Sequence, residues 1–110
     1  MEIEDLKKLQ AEFDQEYFGP YTNNPEDFLF LAAAVAGEAG EFANVVKKYF
    51  RKKKWQAEVT EDQERDYLES MKKEIIDVFT YFLIIANHLD LDIEKEYLAN
   101  LNRNRKRFKK

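Results

Sequence analysis

Four carboxylates stand in two pairs, Glu38 with Glu41 and Glu74 with Asp77, and each pair is three residues apart. Residues three apart share one face of a helix, so each pair can aim two carboxylates at one point. Two such helices side by side would gather four negative charges. Such a cluster repels itself and resists burial unless a cation sits within it. Carboxylate oxygens alone suit a hard divalent cation, Mg2+ or Mn2+. The spacing therefore points to metal-dependent chemistry.

The elements that would hold these pairs are helices. The chain has 110 residues, 45% apolar and 36% charged, with only three Gly and two Pro. That composition favours one all-α domain over residues 1–110, built of long helices with few turns. A first helix is expected from about Glu2 to Phe18, within an N-terminal segment 1–18. Ile3, Leu6, Leu9 or Gln10, Phe13 and Tyr17 recur along it, and Gly19-Pro20 stops it. Asn24 is placed to cap a second helix that starts at Pro25 and runs to about Lys53, with core stripe Phe28, Leu31, Val35, Phe42, Val45, Tyr49. A loop is expected over Lys54–Asp62. A third helix is expected from about Glu61 to Leu89 and a fourth from Asp90 or Asp92 to about Phe108. Four helices with short connections make a four-helix bundle, and the apolar run Ile75–Ala86 predicts pairing with further copies, as a homodimer or homotetramer.

On a helical wheel with Leu31 at 0°, Glu38 falls near 340°, inside the apolar stripe, and Glu41 near 280°, at its edge. Surface glutamates would lie opposite the stripe. In the third helix Glu74 and Asp77 flank and enter the apolar run, and Tyr81 follows on the side of Asp77. Gly37 and Gly40 flank the first pair. Each costs about 1 kcal/mol inside a helix, which close approach of a neighbouring helix or a ligand would justify.

These residues resemble the MazG-like nucleotide pyrophosphohydrolases. Glu38-Ala-Gly-Glu41, followed by Lys47-Lys48-Tyr49, is similar to their first motif, and Lys73-Glu74-Ile-Ile-Asp77-Val-Phe-Thr-Tyr81 to their second. Asn100, Arg103 and Arg107 resemble their closing motif, so the resemblance covers about residues 26–108. It departs at Ile76, often Gly, at Arg103, usually Lys, and in a longer stretch between the two pairs. The resemblance implies a MazG fold with its two central helices carrying E-x-x-E and E-x-x-D. It implies hydrolysis of a nucleoside triphosphate to monophosphate and pyrophosphate, with Glu38, Glu41, Glu74 and Asp77 holding Mg2+. It also implies that Lys48, Tyr81, Asn100, Arg103 and Arg107 contact substrate.

Two other readings stand beside this one. One is a dUTP- or dCTP-specific pyrophosphatase of the same superfamily, and the other is a non-catalytic helical interaction module. A di-iron bundle needs Glu-x-x-His pairs, and the single His88 follows Ile85 at that spacing. The absence of Cys excludes disulfides and thiolate sites. The net charge of −4 disfavours nucleic acid, and the basic tail 103–110 is placed where cations complement a helix C-terminus. The N-terminus lacks signal-peptide form and the run Ile75–Ala86 is too short to cross a bilayer, so a cytoplasmic protein without membrane association is expected.

Overall fold

The computed structural model describes residues 1–55 and 58–109. Gln56 and Ala57 of the expected loop, and Lys110 of the basic tail, lie outside the described residues. Four helices are present, α1 (Ile3–Tyr17), α2 (Pro25–Trp55), α3 (Glu61–His88) and α4 (Ile93–Arg107), with no strand among the described residues. The fold is all-α. By contact the chain divides into two units, Met1–Asn24 with Leu83–Lys110, and Pro25–Phe82.

The first unit holds α1, the end of α3 and α4. Gly19 (φ 93°) follows the last turn of α1 in the left-handed region that glycine adopts at little cost. Asp90 plays the same part after α3 with φ 51°. There the Leu91 N–H donates to the Ala86 carbonyl at 2.9 Å and the Asp90 N–H to the Asn87 carbonyl at 3.3 Å, a Schellman closure. Asp92 then caps α4, its Oδ1 accepting the Lys95 N–H at 3.1 Å. Of the two aspartates expected at this boundary, one ends a helix and the other begins the next.

The face that α1 covers is polar. Asp14 is only 4% exposed, while Leu9 and Phe13 are each 50% exposed. Asp14 accepts hydrogen bonds from the Tyr21 hydroxyl and from Gln10 Nε2, the latter at 2.9 Å. Asn87 Nδ2 donates to the Tyr21 oxygen at 3.2 Å and to the Lys7 carbonyl at 2.9 Å. Lys7 Nζ donates to the Leu91 carbonyl at 2.6 Å. The apolar stripe expected to face inward on α1 is therefore mostly outside. Fixed hydrogen bonds to residues 66 to 84 positions away along the chain orient the helix. Leu83, Ala86 and Ile93 supply this unit's buried apolar atoms.

The second unit holds α2 and most of α3. On α2 the expected stripe, Phe28, Leu31, Val35, Phe42, Val45 and Tyr49, is the part withheld from solvent, with Leu31 buried. At one end the Tyr49 hydroxyl donates to Glu64 Oε1 at 2.5 Å, Lys53 Nζ lies 2.9 Å from the same oxygen, and the Tyr49 and Tyr67 rings meet at 5.4 Å. These pairs, with Glu41 beside Glu74, run in opposite senses along the two helices, so α2 and α3 are antiparallel. Thr60 and Gln63 start α3 with a reciprocal capping box, each backbone N–H bonded to the other's side chain at 3.1 Å. At its other end α2 continues to Trp55 rather than stopping at Lys53.

Candidate metal centre

Antiparallel packing of α2 and α3 brings Glu38 and Glu41 beside Glu74. One oxygen from each of the three lies within 4.8 Å of the other two. Glu38 and Glu74 are half-buried and Glu41 is exposed. Glu38 Oε2 and Glu74 Oε2 are buried and have no hydrogen-bond partner. A buried carboxylate oxygen without a donor is costly, and two of them in one cluster need a shared cation. The Glu38 carboxyl is pushed above its ordinary range, first by burial and then by the charges of Glu41 and Asp77.

Asp77 is not one of the three converging groups. Its Oδ2 lies 3.6 Å from Lys73 Nζ, which also stands 3.9 Å from Glu74 Oε1. Lys73 is largely exposed, so this pairing contributes at most about 1 kcal/mol and is easily exchanged for another partner. Asp77 still adds to the repulsion on Glu38.

An all-oxygen set that includes two orphaned buried atoms fits a hard divalent cation and offers no soft ligand. Lys48 is exposed on α2 and Tyr81 is half-buried on α3, four residues beyond Asp77. Asn100, Arg103 and Arg107 are exposed on α4 in the other unit. There Arg103 Nη2 donates to Asn100 Oδ1 at 3.3 Å, and the Arg107 guanidinium lies 5.3 Å from the Phe108 ring centre. A groove of about 250 Å3, lined by Lys52, Gln63, Asp66, Tyr67 and Ser70, lies toward the Tyr49–Glu64 end and takes none of the acidic cluster.

Two features escaped sequence reasoning. The pairing of Lys73 with both acids of the second motif was available in its spacing of one and four residues. The Asp14–Tyr21–Asn87 network had no local signal, since its members are scattered along the chain. His88, dismissed as a metal ligand, lies with Nδ1 2.6 Å from the Thr22 carbonyl and its ring edge-on to Tyr21.

An all-α chain whose antiparallel helices converge three glutamates on one point belongs to a class built to hold a divalent cation in helix-borne carboxylates. Residues 26–110 match the MazG nucleotide pyrophosphohydrolase domain, and the chain belongs to that family. No curated protein matches the chain.

Proposed function

We propose that the protein is a Mg2+-dependent nucleoside triphosphate pyrophosphohydrolase that clears unwanted nucleotides from the pool. The observation that carries this reading is the pair of buried, unpartnered oxygens on Glu38 and Glu74 at the convergence of three carboxylates. Glu38, Glu41 and Glu74 would hold the cation, and Asp77 would join them by leaving Lys73. When bound, Mg2+ would neutralise phosphate charge and lower the pKa of a ligated water.

The chain's own groups supply the rest. Water attacks the α-phosphorus, the bond to the β-phosphate bridging oxygen breaks, and pyrophosphate leaves. The exposed Glu41 carboxylate orients that water and takes its proton. Lys48, on the Glu41 side of α2, offers a point charge to the phosphates, and Tyr81 offers a ring face to the base. Asn100, Arg103 and Arg107 add donors for the triphosphate. Arg103, where lysine is usual, adds a planar fork that can hold two phosphate oxygens together.

Incubation with a panel of NTPs and dNTPs plus Mg2+ tests the proposal. Monophosphate and pyrophosphate should accumulate in equal amounts. Orthophosphate as the product would place the cleavage at the wrong bond, and no turnover of any nucleotide would leave only the interaction-module reading. Turnover confined to dUTP or dCTP would select the narrower enzyme.

A further inference from the structure

One face of α2 has no role in the site. Leu29, Ala32, Ala36, Ala39, Ala43, Val46 and Phe50 are all apolar and all exposed. Their spacings alternate three, four, three, four, three, four, which is an unbroken a/d heptad pattern over about three heptads. With Leu31 at 0° they fall between about 60° and 160°, a stripe about 100° wide on nearly the opposite side of the helix from Glu38 and Glu41. The stripe drifts by about 20° per heptad, which is the signature of a left-handed supercoil. Leu29 is 72% and Phe50 53% exposed, so no segment of this chain fills the seam.

We propose that this seam is the interface with a second copy of the chain, paired antiparallel through α2. The first argument is charge. Glu26 and Asp27 lie in the first turn of α2 and Lys52, Lys53 and Lys54 in its last. Parallel pairing would set lysines against lysines, whereas antiparallel pairing sets each acidic end beside a basic one. The second is shape. An antiparallel register centred near residue 41 puts Phe50 against the partner subunit's Ala32, Val46 against the partner subunit's Ala36 and Ala39 against the partner subunit's Ala43. Large faces small in the outer layers and small faces small at the centre, which lets the backbones come close there.

The third argument is Gly40, at the centre of that register and the edge of the stripe. A Cβ built on it would meet nothing within 4 Å, so its cost to the helix has no return inside one chain. The fourth is area. The chain exposes 8822 Å2. A folded monomer of its 13.2 kDa exposes roughly 6400 Å2, and the surplus exceeds the roughly 800 Å2 that each partner contributes to a standard interface. By length and composition alone α2 could cross a membrane, with a mean hydropathy of 1.4 over its most apolar window. A lipid-facing helix, however, is apolar all round, and this one carries two glutamates opposite a narrow stripe.

The natural absence of Cys makes the test direct. Ala36→Cys with Val46→Cys in one chain should give an interchain disulfide on mild oxidation, because residue 36 of each copy faces 46 of the other. Each single variant should stay uncrosslinked, its two thiols being about 15 Å apart along the seam and beyond disulfide reach. Self-crosslinking of either single variant would mean parallel pairing and overturn the proposal. No crosslink in the double variant would overturn the register. In sedimentation the native chain should show twice 13.2 kDa, and Ala39→Arg should halve that mass with helical circular dichroism retained. A native chain at 13.2 kDa would remove the interface altogether. None of these readouts involves nucleotide, so failure here leaves the hydrolase reading standing, and failure of turnover leaves the dimer.

Discussion

Glu38 carries opposing demands. Its Oε2 is buried without a donor, and its carboxyl is pushed up by burial and by neighbouring acids, so the ionised form strains the protein that must use it. Glu38→Gln should therefore melt higher than the native chain when both are free of divalent metal. The same variant should lose the Mg2+-induced rise in melting temperature and more than roughly 100-fold in turnover, since even residues that only support a metal ligand cost 10–100-fold. Calorimetric scans with and without Mg2+ check both halves. A lower metal-free melting temperature would contradict the strain. Tyr21 gives a second case. Its hydroxyl is held well above the ordinary tyrosine range by burial and by donation to Asp14. A raised folded pKa means the contribution is complete below pH about 10 and is lost as pH climbs beyond it. Tyr21→Phe should cost about 1–3 kcal/mol at pH 8, by leaving the buried Asp14 short of a donor. It should also flatten the alkaline fall in denaturation midpoint that the native chain shows.

Between elements, the Tyr49–Glu64–Lys53 tie joins the C-terminal end of α2 to the start of α3. The Tyr49 hydroxyl and then Lys53 hold the Glu64 carboxyl below its ordinary range. That contribution is present above the ordinary carboxylate pKa and disappears as pH falls through the lowered one. Urea midpoints taken from pH 7 down to pH 3 should therefore fall more for the native chain than for Glu64→Gln, and salt should weaken the difference. The same helices show what periodicity can reveal. The covered stripe of α2 and the place of Glu38 within it were legible because one face of a long helix repeats every 3.6 residues. The meeting of Glu38, Glu41 and Glu74 followed from that face and its counterpart on α3. On α1 the identical logic failed, because Lys7, Gln10 and Asp14 bond to Leu91, Asn87 and Tyr21, and hydrogen bonds to distant residues leave no periodic trace. Asp77 shows a finer limit, since spacing places it on the right face but does not say that Lys73 engages it.

For the whole molecule, ligand and assembly both enter stability through mass action. Mg2+ with a bound nucleotide at 100 times its Kd should add about 2.7 kcal/mol, seen as a higher melting temperature than either component gives alone. The melting temperature should also rise with protein concentration, as it does for any chain whose folded form pairs with itself. Trp55 supplies the means to watch this without a label. It is the only tryptophan, lies 67% exposed at the end of α2, and meets the Phe50 ring edge-on at 5.8 Å. Phe50 closes the proposed seam, so the indole stands at its edge. Its emission should be red and readily quenched by iodide in dilute solution. Both properties should change together on concentration, giving an optical titration of how the chain finds its own copy.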